Sequence, residues 1–211
     1  MVETSDYVAG VRLDGGHLAL DFVNTLGGSW ELPPEPWDEH LRSYADLAAW
    51  SVRVGVLEED AAERLALDAE AEPRRANRVL REAIEQREEA YAVLRALAEG
   101  REPPSDGVHG IEDKARRALE AARLEPSPDG SYRWSWEASW DDLRAPLLPL
   151  AWATVELLGD GPLDRMKRCS GCRWLFLDQS KNRSRHWCSM EVCGTNAKKR
   201  RYVERRRAAR A

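Results

Sequence analysis

Cysteine is missing from the first 168 of the 211 residues, and no stretch is long and apolar enough to span a bilayer. The longest mostly apolar run, Ala145 to Leu158, is too short and is interrupted by Pro146, Pro149 and Glu156. The opening Met-Val-Glu-Thr-Ser-Asp lacks the basic flank and apolar core of a secretory signal. These absences lead us to expect a cytoplasmic protein with no membrane partner, whose four cysteines are not disulfides. There is no internal repeat and no low-complexity tract before the basic C-terminal run. No phosphate loop, carboxylate pair or nucleophile–base set stands out, so an enzyme is not expected. What is present, 43% hydrophobic and 33% charged positions, suffices for one ordinary domain with an appendage or for two small domains, and argues against wholesale disorder.

The net charge of −5 hides a division. Residues 165–211 hold 15 Lys or Arg against 3 acids, a net of +12; the remainder holds 17 bases against 34 acids, a net of −17. An acidic body thus carries a strongly basic end, and such asymmetry points to a polyanionic partner for the basic part.

Hydrophobic spacing predicts a mainly α body over 1–160. Leu18, Phe22 and Leu26 recur four apart in a short helix over 17–26, whose other face carries His17, Asp21, Asn24 and Thr25, and Gly27-Gly28 ends it. Pro33, Pro34 and Pro36 mark a loop. Further helices are expected from an N-cap at Asp38 to Val54, over Glu58–Glu70, from Pro73 to Glu99, and over Ile111–Ala122. The period then changes. Residues 131–137 alternate as a strand with Tyr132, Trp134 and Trp136 on one side, and Arg123-Leu124-Glu125 is the candidate partner of a single β-hairpin. Residues 140–158 read as the last helix, and Gly159-Asp160-Gly161-Pro162 as the boundary to a second domain over 165–211.

All four cysteines lie in that last segment, as Cys169-x2-Cys172, fifteen residues, then Cys188-x4-Cys193. Two close pairs at this separation form the pattern of a four-thiolate Zn2+ site, a small zinc-ribbon or treble-clef-like finger. A redox Cys-x-x-Cys would leave Cys188 and Cys193 unexplained, and four thiolates close the coordination sphere against a catalytic water. Gly171 lets the first knuckle turn tightly, and Lys167, Arg168, Arg173 and Arg185 are expected to offset the negative charge. Trp174-Leu175-Phe176-Leu177 should form a strand over the site with Trp187 as a second cover. So short a module has too little core of its own, so the metal is expected to supply most of its folding energy.

Beyond Cys193 the chain is helical in propensity from about Asn196. On a helix, Lys198, Arg201 and Arg205 share one face, Lys199, Arg206 and Arg210 another, and Arg200 and Arg207 a third. Charge surrounds the axis and leaves only Tyr202 and Val203 as anchors, so this helix should fray until phosphates relieve its self-repulsion. Arg183, Arg185, Asn196, Lys198, Lys199, Arg200, Arg201 and Arg205 are the candidate nucleic-acid contacts. Duplex DNA is the first expectation, and structured RNA the alternative. A solubilising tail, or docking of the tail on the acidic body, are the other readings.

Three stretches together resemble a bacterial family described as stress-induced transcription regulators, with an N-terminal ABATE domain and a C-terminal CGNR-type zinc finger. They are Leu-Ala-Leu-Asp-Phe-Val-Asn-Thr (18–25), Cys-x-x-Cys-x-Trp-Leu-Phe-Leu-Asp (169–178), and Ser-x-Asn-Arg-Ser-Arg-x-Trp-Cys-Ser-Met (180–190) followed by Cys-Gly (193–194). The resemblance implies zinc ligation by Cys169, Cys172, Cys188 and Cys193 and a DNA-binding finger. The chain departs from the family at Thr195-Asn196, where the resemblance expects Asn-Arg, which leaves Arg200 or Arg185 to take the part of the missing arginine. A regulator needs a sensor or a dimer interface. His17, Asp21 and Asn24 on one element and Trp134 and Trp136 on another are the candidate pocket for a small effector. The competing reading makes the same residues caps and core. A zinc module used only for protein assembly, beside a ligand-binding body, is a further alternative.

Overall fold

In the computed structural model the described residues are 8, 10–28, 38–137 and 140–209. The proline loop at 33–36, the start of the chain and Arg210 lie outside them. Among the described residues the body is built from α1 (Leu18–Val23), α2 (Tyr44–Arg53), α3 (Glu59–Ala71), α4 (Pro73–Ala98), α5 (Ser105–Ala121) and α6 (Leu147–Asp160). Between α5 and α6 lies the antiparallel hairpin of β1 (Arg123–Pro126) and β2 (Tyr132–Ser135). After α6 come β3 (Met166–Arg168), β4 (Leu175–Leu177), a wide π turn over Met190–Gly194, and α7 (Thr195–Ala208).

Long α4 is the axis on which the rest is assembled. Its buried side, including Val79, Ala83, Ala90 and Leu94, meets the other helices, as its spacing predicts. One core surrounds Trp50 and Phe22, whose ring centroids lie 5.8 Å apart, and takes in Leu47, Leu65, Val79 and Leu150. A second core joins Leu20, Val23, Tyr91, Leu94 and Leu157 of the helices to Met166, Leu175 and Leu177 of the C-terminal hairpin. The finger therefore shares a core with the helical body, so metal binding is not the only source of its folding energy.

Several boundaries differ from the sequence reading, each for a local reason. Helix α2 begins at Tyr44 because Ser43 and Asp46 form a reciprocal capping box. Asp38 instead pairs its carbonyl with the Gly27 N–H at 2.8 Å, and His40 donates to the Thr25 carbonyl at 3.0 Å. Helix α5 begins six residues earlier than Ile111. The two glycines that read as loop are its contact surface: a Cβ on Gly107 would stand 2.9 Å from Val93, and one on Gly110 would stand 2.6 Å from Glu89. Helix α6 starts only at Leu147, after Pro146, with the preceding residues in turns.

The hairpin pairs as expected, but its aromatic stripe is not a buried face. Tyr132 and Trp134 are exposed, and Trp134 meets Trp152 edge-on at 5.9 Å. Trp136 lies just past the strand, buried, donating to the Ala118 carbonyl at 2.7 Å. In the finger the expected strand forms as β4, but its hairpin partner β3 was not anticipated.

Asn24 fastens that second hairpin to the body. Its amide donates to the Leu175 carbonyl at 2.8 Å and its oxygen accepts from the Leu175 N–H at 3.0 Å, so a side chain does the work of a neighbouring strand. All of these atoms are buried. Replacing Asn24 with Ala leaves a donor and an acceptor of Leu175 unsatisfied. We expect Asn24→Ala to destabilise the metal-loaded protein by about 3 kcal/mol, read as a shift of the urea unfolding midpoint. An unshifted midpoint refutes this account of the joint.

Candidate metal centre

Cys169 and Cys172 sit on the turn between β3 and β4, Cys188 on the following loop, and Cys193 in the π turn that leads into α7. A hairpin knuckle followed by a helix that brings the last ligand is the treble-clef-like arrangement rather than the ribbon. The four sulfurs lie within 4.8 Å of one another, with Cys172 to Cys188 at 3.7 Å and Cys188 to Cys193 at 3.8 Å. Disulfide sulfurs stand about 2.05 Å apart, so these are not bridges. Four sulfurs bound tetrahedrally at about 2.3 Å from a Zn2+ would stand about 3.8 Å apart, and the donor set fits that ion.

The chain supplies what such a cluster needs. The N–H groups of Gly171 and Cys188 both point at the Cys169 sulfur at 3.4 Å. Gly171 eases a close approach, since a Cβ there would stand 3.2 Å from the Cys193 Cβ. Hydrogen bonds from the Cys172 thiol, and then from those of Cys188 and Cys193, hold the Cys169 thiol below its ordinary range, and the same crowding pushes the Cys172 thiol up. Without a cation the four sulfurs share their protons; a cation lets all of them ionise. As expected, strand alternation turns Trp174 and Phe176 onto the cysteines, with Trp187 as a further cover. It sends Leu175 and Leu177 into the core shared with the helices.

The neighbouring cations are arranged differently from the expectation that they would balance the thiolates. Lys167 pairs with Asp178 at 2.8 Å, Arg168 with Glu99 at 2.9 Å and Arg173 with Glu88 at 3.0 Å. Arg185 reaches a ligand residue: its side chain donates to the Cys188 carbonyl and lies over the Phe176 ring, 4.8 Å from its centroid. Arg185 is thus engaged with the knuckle.

Arg173 is buried, its guanidinium 4.0 Å above the Tyr91 ring, and the Tyr91 hydroxyl donates to the Arg173 carbonyl at 2.9 Å. Glu88 also accepts from Arg87, which is 1% exposed and grips Glu39 with two bonds of 2.7 Å. A continuous polar chain, Glu39–Arg87–Glu88–Arg173, therefore runs from the body to the residue beside Cys172.

Asp178 is fully buried. Burial alone would raise its carboxyl, yet hydrogen bonds from Lys167, from the Ser180 hydroxyl and N–H, and from the Arg185 N–H hold it well below the usual carboxylate range. Lys167 goes on to donate to the carbonyls of Arg183 and Arg185. This pair shapes the loop that carries Arg183, whose φ of 49° is a left-handed conformation and whose side chain meets Asp164. The sequence reading passed over Asp178 as a site residue. Its signal was its rarity, one of three acids in a segment of net +12.

The other predicted contacts lie on α7. Lys198, Lys199, Arg201 and Arg205 are exposed, as is Asn196. Asn196 and Arg200 line a cleft of about 400 Å³ together with Gly28, His40, Trp174 and Cys193. None of His17, Asp21, Asn24, Trp134 or Trp136 lines that cleft. His17 caps α1, its Nδ1 accepting from the Ala19 N–H at 3.2 Å; burial lowers its pKa despite Glu156, which suits a neutral acceptor. Asp21 accepts from the Gly15 N–H at 2.8 Å.

Two families match the chain. ABATE, described as "Putative stress-induced transcription regulator", covers residues 16–161, and the CGNR zinc finger covers 165–206. The chain belongs to the ABATE family. No curated protein matches it. The CGNR match spans all four cysteines and most of α7, and the ABATE match ends beside the last residue of α6. Within this CGNR finger the departure at Thr195-Asn196 has a structural side: the Thr195 hydroxyl donates to the Met190 carbonyl at 3.1 Å and closes the π turn, while Asn196 faces the cleft.

One metal ion should bind per chain, and Cys188→Ser should lose it to a chelator that leaves the native protein loaded. Proteolysis should then cut within 178–209 while the helical body keeps its circular dichroism, because its main core does not involve the cysteines. Full metal retention by the variant refutes the four-sulfur site.

Burial raises the Asp21 carboxyl to about 6 against the Gly15 hydrogen bond. A carboxyl that holds its proton more tightly when folded makes stability fall as pH rises from about 4 to about 6. Asp21→Asn keeps the acceptor for Gly15 and removes the ionisation. Across that interval the variant should therefore lose less stability than the native chain, and it should melt higher at neutral pH. Parallel melting curves for the two chains contradict this.

Proposed function

We propose that this protein is a DNA-binding transcription regulator in which a Zn2+ held by Cys169, Cys172, Cys188 and Cys193 fixes the root of α7 for contact with duplex DNA. The observation that carries the reading is α7 itself. Lys198, Lys199, Arg200, Arg201, Arg205, Arg206 and Arg207 surround its axis, and it is exposed from Arg201 to its end. A helix charged on every side gains nothing from burial in its own protein, and its repulsion is relieved by phosphates. Its root, by contrast, is rigidly placed, since Cys193 precedes it by two residues and Ala197 is buried. Arg183, Asn196, Lys198, Lys199, Arg201 and Arg205 are the proposed contacts; Arg185 serves the knuckle. The helical body supplies the sensing or dimerisation function of a stress-responsive regulator.

Fluorescence anisotropy with a labelled duplex across a salt series tests this. Each phosphate contact contributes about −0.9 to the slope of log K against log salt. Arg201→Glu with Arg205→Glu should therefore weaken binding by at least about tenfold and flatten the slope by about 2. Chelation should abolish the remaining affinity. An unaltered slope removes α7 from the interface, and stronger competition by structured RNA than by duplex transfers the reading to RNA.

A further inference from the structure

At the far end of α4 from the finger lies a groove of about 920 Å³ between α2, α3 and α4. Its floor is small and apolar, with Ala45, Ala66, Ala69 and Ala76. Leu67 stands in it 66% exposed, and Glu63 and Glu70 line it two helical turns apart. These two acids are about 10 Å apart along one face of α3, with Leu67 between them at steps of four and three residues. Helix α7 carries the complementary pattern. Tyr202, 61% exposed, is four residues before Arg206 and three after Lys199. Laid antiparallel, the two helices bring Leu67 to Tyr202, Glu63 to Arg206 and Glu70 to Lys199.

We propose that this groove seats α7 of a second copy of the chain, with Tyr202 on Leu67 and the two cations against Glu63 and Glu70. The occupant comes from another molecule because the chain's own α7 is held elsewhere. The finger is fastened at Glu88 and Tyr91, and Asn77 of the groove lies 14 residues from Tyr91, about 21 Å along α4. Tyr202 is only seven residues, about 10 Å, along α7 from Thr195. The charge division of the sequence supplies the attraction, −17 outside the finger and +12 within it. Reciprocal seating gives a two-fold dimer in which each body holds the other's helix. Its link to regulation rests on the DNA reading above: α7 cannot lie in the groove and on a duplex together.

Sedimentation velocity of the full, metal-loaded chain over a concentration series tests the proposal. The expected result is a dimer at low salt that dissociates at high salt. Glu63→Lys with Glu70→Lys should weaken it by about tenfold, and adding Lys199→Glu with Arg206→Glu should restore it. A monomer at every concentration overturns the proposal. So does a dimer that ignores the reversal of Glu63 and Glu70, or one that the exchanged charges fail to restore. Duplex DNA that binds should release monomers, and a duplex bound with the dimer intact overturns the shared use of α7. A duplex that does not bind at all defeats the regulator reading instead, and the sedimentation series alone then decides the dimer.

Discussion

A side-chain amide imitating a strand is what the C-terminal half of this protein depends on. Strand β4 is three residues long and has one true partner, β3. Two short strands are only marginally stable in water. Asn24 supplies the missing edge by satisfying both backbone groups of Leu175, and the Leu177 N–H finds the Gly15 carbonyl at 2.9 Å. With its backbone held on that side, the strand can serve two interiors at once. Leu175 and Leu177 enter the helical core, while Trp174 and Phe176 roof the cysteines. A one-residue slip would exchange these sets, placing Leu175 and Leu177 over the sulfurs and Trp174 and Phe176 in the helical core. The amide therefore fixes register as well as attachment.

The polar chain beside it fixes the knuckle's orientation. Arg173 lies between a metal ligand and a roofing tryptophan, and it is held by an aromatic face, a carboxylate and, through its carbonyl, the Tyr91 hydroxyl. Buried guanidinium groups are costly unless all their hydrogen-bonding capacity is used. Arg87 comes close to that condition, with four of its five N–H donors bonded to Glu39, Glu88 and Thr25. Because Glu88 is common to both arginines, one carboxylate joins the Glu39–Arg87 pair to the residue beside Cys172. The connection is made of packed, directional contacts rather than a flexible linker, which is why Gly161 and Pro162 mark the end of a helix more than a hinge.

Much of this was legible in the sequence. Four cysteines with nothing else of their kind in the chain gave the metal cluster, and the charge division gave α7. Pro73 and the 3.6-residue period gave α4. The failures share a cause: they occur where a residue's role depends on a distant partner. Gly107 and Gly110 read as loop because their purpose is the close approach of α4, and Asn24 read as pocket because its partner is 151 positions away. Nor can composition show that the Arg185 guanidinium lies over the Phe176 ring. Trp134 and Trp136 alternate correctly, yet burial was decided by α5 and α6, which no local period describes.

Charge division also governs how any polyanion must approach. At physiological ionic strength the field of a surface charge fades over about 8 Å. The body's net −17 therefore repels only what comes close to it, and the finger attracts over the same short range. A duplex is about 20 Å across, wider than that screening length, so its near side can lie within reach of α7 while its far side is out of reach of the body. For the duplex proposed above, orientation would follow from this without any sequence-specific contact: the phosphate ridge would be drawn to the exposed length of α7 beyond Arg201 and kept from α3, whose Glu59, Asp60, Glu63, Asp68 and Glu70 are exposed. The same acids that would repel a nucleic acid are the ones a cationic helix would seek. A surface shaped to exclude one polyelectrolyte is thereby suited to hold the opposite one.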